Sequence, residues 1–287
     1  MKTEEHTLVV PVDGSAHSGR AVDVAAELAH GLGARVQLLH VMPAGPAELS
    51  DIPANRSVTS DGDLAEKRAA AEQVLESARR QLAGKLPGDL DTRLLEDPEH
   101  QHDPASTIIQ QVNAIPGAIV VMGSRGLGEV RKFLLGSIGD AVVHKAHHPV
   151  TLVHADQHPA NTGGVEQVLV PVDGSEQSFQ AARLAGRVAR GRGVPVELLF
   201  CHEGDSTGTP AIFDQARAAL GDVPAGIREQ ELSGPPATAL LDHVNDQRKP
   251  SLLVMGRRGM SGWQEALLGS VSRTLLSKSV CPVMVTR

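Results

Sequence analysis

Two residue patterns in this chain could do chemistry, and each occurs twice. Asp13-Gly14-Ser15 follows the apolar run Leu8 to Val12, and Asp173-Gly174-Ser175 follows the matching run Val168 to Val172. A carboxylate, a glycine and a serine in that position either cap the next helix, whose first N–H groups lack partners, or face a ligand. The second pattern places Gly123, Gly126, Gly136 and Ser137 at the spacing Gly-x2-Gly-x9-Gly-Ser, and Gly256, Gly259, Gly269 and Ser270 repeat it. Glycines without side chains let backbone N–H groups approach an anion, and a helix starting at Gly136-Ser137 points the positive end of its dipole at the same place. That is phosphate-cradle chemistry. It is not a Walker loop, since Gly-x4-Gly-Lys-Ser/Thr is absent, and Gly126-Leu127-Gly128 lacks the third glycine of a dinucleotide fingerprint.

The elements that must position these residues are also duplicated. Val10 to Ser15 recurs identically as Val170 to Ser175 at an offset of 160, and the Gly-rich segment and Leu134-Leu135-Gly136-Ser137 recur at an offset of 133. The second copy is therefore 27 residues shorter between its two motifs. In the first copy the patterning predicts strands at Thr7 to Val12, Arg35 to Val41, Thr92 to Leu95, Ala118 to Met122 and Val150 to His154. Helices are expected at Ser18 to Leu32, Leu64 to Leu86, Ala105 to Ala114 and Ser137 to Ala146, with a Pro-rich loop at Pro43 to Gly62. The second copy predicts strands at Gln167 to Val172, Val196 to Cys201, Ile227 to Leu232, Ser251 to Met255 and Val283 to Thr286, with a shortened helix at Pro210 to Leu220. Strands that alternate with helices and are nearly all apolar imply a parallel sheet covered on both faces. The expected fold class is α/β, with two tandem doubly wound five-stranded domains at residues 1–156 and 165–287 and a linker near Asp156 to Gly164.

Composition narrows the function. The 287 residues are 41% hydrophobic with one Trp, four Phe and no Tyr, so aromatic base-stacking platforms are missing, and a net charge of -7 has the wrong sign for coating nucleic acid or anionic lipid. No apolar stretch approaches the roughly 20 residues needed to span a bilayer, and the polar start Met1 to Thr7 is unlike a signal peptide, so a cytoplasmic protein without membrane insertion is expected. Cys201 and Cys281 are too few for a disulfide framework or a zinc site and read as buried reduced thiols.

Pro-Val-Asp-Gly-Ser, Gly-Ser-Arg-Gly with its downstream Gly-Ser, and the closing His148-Pro149-Val150 and Cys281-Pro282-Val283 together resemble the tandem type of universal stress protein across nearly the whole chain. The resemblance implies a Rossmann-like, adenine nucleotide alpha-hydrolase-like fold. The Gly-x2-Gly-x9-Gly-Ser spacing marks that family's ATP-binding branch, with magnesium accompanying the nucleotide. By the same analogy Asp13 and the backbone near Val12 and Val41 lie by the adenosine, Gly126, Gly136, Ser137 and Ile138 hold phosphates, and Pro11, Ser15, Met122, Gly123 and Ser124 complete the implied nucleotide-binding set. Arg125 either adds charge to the phosphates or is a solvated loop residue. The second copy matches at Pro171, Val172, Asp173, Ser175, Gly256, Arg258, Gly259, Gly269, Ser270 and Val271, and departs at Cys201, which stands in the place of Val41. Both sites are expected to bind, the second more weakly or with a different nucleotide preference.

The function this implies is an ATP-binding, nucleotide-dependent stress-response regulator that acts on a protein partner. The alternative is a slow ATPase or autophosphorylating enzyme, with Asp13 or Asp173 placing magnesium and Ser124 or Ser137 as the acceptor. No catalytic constellation repeats between the copies, and Gly-x-Ser-x-Gly is absent. His144, His147 and His148 have a spacing that can bind zinc, but they lack a metalloprotease Glu and have no counterpart in the second copy. The last strands, Val150 to His154 and Val283 to Thr286, would be apolar sheet edges unless paired, which predicts pairing of the two copies within one chain and is compatible with a homodimer of four domains.

Overall fold

A computed structural model describes residues 5–42, 61–96, 103–125, 136–155, 164–202, 208–258 and 268–287. The linker and most of the Pro-rich loop fall outside these residues, as do Gly126 and Gly259. The chain divides into two compact units, the first ending at Ala155 and the second beginning at Asp156.

The first unit runs β1 (Thr7–Pro11), α1 (Ala16–Leu32), β2 (Arg35–Met42), α2 (Asp61–Leu82), β3 (Leu90–Glu96), α3 (Pro104–Asn113), β4 (Ala118–Gly123), α4 (Ser137–Lys145) and β5 (Val150–Val153). Its strands lie in the order β3-β2-β1-β4-β5, all parallel. The second unit repeats this with β6 (Gln167–Pro171), α5 (Glu176–Arg192), β7 (Val196–His202), α6 (Thr209–Leu220), β8 (Ile227–Ser233), α7 (Pro236–Asn245), β9 (Ser251–Gly256), α8 (Ser270–Lys278) and β10 (Val283–Thr286), in the order β8-β7-β6-β9-β10.

Right-handed crossovers turn such an order into a sheet with two helices on each face. The Gln81 amide of α2 donates to the Gly19 carbonyl of α1 at 2.8 Å, and Arg190 of α5 donates to the Leu220 carbonyl of α6 at 2.7 Å, fixing one helix pair in each unit. On the other pair, Asn113 and Asn245 accept from the backbone just past α4 and α8. The central strands are closed to solvent on both faces, with Leu8, Val9 and Val10 in β1 and Val168, Leu169 and Val170 in β6 completely buried. β3 and β8 depart from the expectation of apolar strands. They are lateral and mostly exposed, and their charged residues, such as Asp91, Arg93, Arg228 and Glu229, deter further strand pairing. Helix α2 has 22 residues and α6 has 12, which accounts for part of the shortfall in the second copy.

Candidate nucleotide site

Strand order reverses at β1 and β4 in the first unit and at β6 and β9 in the second, so each unit opens a crevice at the C-terminal ends of those strands. The register places the expected residues there. Pro11 pairs with Leu39 and Val9 with Val120, so Asp13, Val41 and Ser124 stand level just past the sheet. Pro171 pairs with Leu199 and Leu169 with Leu253, which sets Asp173, Cys201 and Arg257 level in the same way. Val12, Val172 and Met122 are buried, so their backbones rather than their side chains face the crevice.

The Asp-Gly-Ser turns prove to be caps in part. Ser15 and Ser175 are the N-caps of α1 and α5, accepting from the N–H groups of Ser18 and Ser178 at 3.1 and 3.2 Å. Asp13 and Asp173 precede the cap, each accepting the following serine's N–H through Oδ1, at 2.9 and 3.0 Å. The intervening Gly14 and Gly174 have φ of 81° and 88°, a conformation glycine adopts without steric cost. Because Ser15 and Ser175 supply the cap, both helices start at the next residue, two positions ahead of the expected Ser18 in the first copy.

The glycines of the second pattern divide by role. A Cβ on Gly123 would lie 2.8 Å from the Cβ of His17 and 2.9 Å from the Ser18 nitrogen, and one on Gly256 would lie 2.9 Å from the Cβ of Gln177. These two glycines admit the first turn of α1 or α5 against the strand end, a packing requirement. Gly136 and Gly269 instead open α4 and α8 as N-caps with φ of -62° and -64°, and neither helix receives a side-chain cap. A Cβ on Gly269 would meet only ordinary contacts at 3.5 Å or more, so the fold itself does not demand glycine there. The Gly136 and Gly269 N–H groups are taken by the carbonyls of Ser124 and Arg257, at 2.8 and 3.1 Å. The residues that follow these caps, Ser137-Ile138 and Ser270-Val271, open the first turns of α4 and α8. Ser137 and Ser270 are exposed.

Ser124 is completely buried, with its hydroxyl 2.8 Å from Nδ1 of His154 and 3.3 Å from Nδ1 of His17. That burial removes it as an accessible phosphoryl acceptor. His17 Nδ1 also accepts the Ala155 N–H at 3.0 Å, which leaves that nitrogen unprotonated.

Sequence reading missed His40. It is 2% exposed, next to Val41 on β2, and its Nδ1–H donates to the Val12 carbonyl at 2.7 Å, directly behind Asp13. Burial pushes its pKa below the ordinary histidine value, against the opposing pull of the Val12 carbonyl and the Asp13 charge. Its Nε2 is buried without a hydrogen-bond partner. The one sequence signal was Phe200 at the matching place in the repeat, an exchange of polar for apolar. A cavity of about 560 Å³ lies between α1 and α2, with Val12, Gly14 and Ser15 at its end nearest the turn. In the second unit Gly186 brings the two corresponding helices together so closely that a Cβ would sit 2.2 Å from the Leu220 carbonyl oxygen.

Among the described residues no group of three or more His, Cys, Asp or Glu is arranged to hold a metal ion, and no helix is long and apolar enough to cross a membrane. His144 turns back onto the Asp140 carbonyl at 2.7 Å.

The model of the universal stress protein family matches residues 5–154 and again 164–287. The chain belongs to the universal stress protein family. A universal stress protein from Mycolicibacterium smegmatis is 30% identical, with 99% of this chain and 97% of the relative aligned. Universal stress protein Rv2005c from Mycobacterium tuberculosis is 28% identical, covering 99% and 98%. Among solved structures, a universal stress protein from Archaeoglobus fulgidus superposes with a TM-score of 0.73 at 23% identity over 100% of this chain and 99% of its own, a likeness of fold. The tandem, doubly wound reading of the sequence is thus the architecture of this universal stress protein.

Proposed function

We propose that this universal stress protein binds ATP, with magnesium, in the crevice of each unit and acts as a nucleotide-dependent regulator. The observation that carries the reading is the contrast between helix starts at each crevice. Helices α1 and α5 are capped by Ser15 and Ser175, whereas α4 and α8 begin at Gly136 and Gly269 with no side-chain cap. A phosphate chain laid against the first turns of α4 and α8 would accept hydrogen bonds from backbone N–H groups there and meet the positive end of each helix dipole. The space for a Cβ at Gly269 supports this, because a glycine that the fold does not need is explained by close approach of a ligand. Asp13 and Asp173, level with Val41 and Cys201, stand where the nucleoside would reach the neighbouring strand end. The chain's own residues supply placement and charge, and no catalytic constellation repeats between the copies, which favours binding over fast turnover.

Mass spectrometry of nucleotide released from freshly purified, heat-denatured protein tests the proposal. Adenine nucleotide at up to two per chain is the expected result. Calorimetry showing no heat with ATP, ADP or AMP on a folded sample overturns it.

A further inference from the structure

The two crevices differ behind their carboxylates. His40 of β2 and Phe200 of β7 hold the same place in the 160-residue repeat, and both face the helix that follows their strand. His40 pairs in register with Leu94, which packs against Ala70 and Ala71 of α2, and Phe200 meets Phe213 of α6 edge-on with ring centroids 6.3 Å apart. In each unit strand pairing pins the start of the turn, the Val12 N–H donating to the Leu39 carbonyl and the Val172 N–H to the Leu199 carbonyl, both at 2.8 Å. The next peptide is where the units part. Its N–H, at Asp13 or Asp173, donates to the hydroxyl of Ser18 or Ser178, at 3.4 and 3.5 Å. Its carbonyl at Val12 accepts the His40 Nδ1–H at 2.7 Å, whereas Phe200 offers Val172 no donor. Because a peptide unit is planar, holding the Val12 carbonyl also orients the Asp13 N–H.

The arrangement costs the fold stability. A neutral ring that donates from Nδ1 has a bare lone pair on Nε2, and that nitrogen is buried without a partner, whereas phenylalanine at the same place carries no such penalty. A residue kept against local stability is explained by what it does for the site in front of it. The carboxylates differ there too. Among the described residues Asp13 accepts only the Ser15 N–H, whereas Asp173 accepts both the N–H and the hydroxyl of Ser175, at 3.0 and 2.6 Å.

We propose that His40 is a positioning residue of the first crevice: it holds the Val12–Asp13 peptide so that the Asp13 carboxylate is presented to a hydroxyl or amino group of the nucleoside, and Phe200 in its place makes the second crevice the weaker at that end. This rests on the nucleotide reading of the crevices and adds a residue behind the site, not one in contact with ligand.

The test compares the wild-type full chain with H40F, H40N and F200H, by calorimetric titration with ATP and AMP and by NMR amide exchange. An asparagine amide nitrogen stands where histidine Nδ1 does, so H40N keeps the donor without the ring. Expected for H40F is a loss of about threefold to tenfold at one site, equal for ATP and AMP because they share the nucleoside, with faster exchange of the Asp13 amide. H40N should recover most of both effects. A merely structural role gives the opposite order, since an apolar ring fills a core better than an amide. F200H should slow exchange of the Asp173 amide and strengthen the other site, which keeps the test sharp where H40F does not fold. Faster Asp13 exchange in H40F, reversed in H40N, in a chain that binds no nucleotide would sustain the positioning role while the nucleotide reading falls. Unchanged Asp13 exchange in H40F, unchanged affinity in H40F of a chain that binds nucleotide, losses in H40N as large as in H40F, or a loss confined to ATP would overturn it. Where H40F is unfolded, F200H without slower Asp173 exchange would do the same.

Discussion

A Cβ placed on Gly123 would sit 2.8 Å from the Cβ of His17, a residue 106 positions earlier in the chain. This contact sets how closely the first turn of α1 lies on the end of β4, and therefore how wide the crevice between them opens. The neighbouring bond of Ser124 to His17, which spans 107 positions, ties the same two elements together.

Gly123→Ala and Gly269→Ala should separate packing from binding. Gly123→Ala drives a methyl group into α1 backbone and is expected to destabilise the first unit by roughly 1–3 kcal/mol. Gly269→Ala, where the methyl meets only ordinary contacts and φ is -64°, should lose at most about 1 kcal/mol, the cost of alanine at an N-cap, yet bind ATP more weakly in the second crevice. Thermal melts and calorimetry on both variants check the pair. A stable Gly269→Ala with undiminished ATP affinity at both sites would contradict close approach of phosphate.

The caps give a pure stability prediction. Ser15→Ala and Ser175→Ala each remove a side-chain oxygen that accepts a first-turn N–H, at a cost of about 1 kcal/mol in their own unit. Denaturant unfolding followed by helical signal measures it. Ser15→Asp should recover most of the loss, because aspartate is an equally good cap.

His40 makes the first unit acid-sensitive. Its folded pKa is held below the 6.5 of an unperturbed histidine, so below pH 6.5 the unfolded chain takes up a proton that the folded chain refuses. Stability is complete above pH 6.5 and declines as pH falls from there to the folded pKa, at about 1.4 kcal/mol for each unit by which that pKa is lowered. His40→Phe, which installs the residue of the second unit, should flatten this part of the melting-temperature profile. An unchanged acid slope in that variant would assign the sensitivity elsewhere.

The thiols should be unreactive at neutral pH. Burial raises Cys201 to about 11 and Cys281 to about 12, so the nucleophilic thiolate is scarce in both. A chromogenic disulfide near pH 7 should label neither in the folded protein on the timescale of a small free thiol, and both after denaturation. Prompt labelling of Cys201, the half-buried one, would show that its strand end opens.

The sequence by itself determined what is local or repeated. The alternation of apolar strands with amphipathic helices specified two doubly wound units, and the doubled Asp-Gly-Ser and Gly-x2-Gly-x9-Gly-Ser patterns located both crevices and the family. Element ends shifted by one or two residues where a cap decided them, as at Ser15, and by four at the C-terminus of α2, which stops at Leu82 ahead of Gly84 at φ 72°. The lateral strands β3 and β8 carry too many charges to follow the apolar rule. Only the tertiary structure decided which glycine makes room for a helix and which has ordinary space beside it, because that depends on what lies across the gap from Gly123 or Gly269. It also decided that His40 is buried behind Asp13, bonded to the Val12 carbonyl. Sequence pattern reports periodicity along one element, whereas burial and hydrogen-bond partners arise where strands far apart in the chain end side by side.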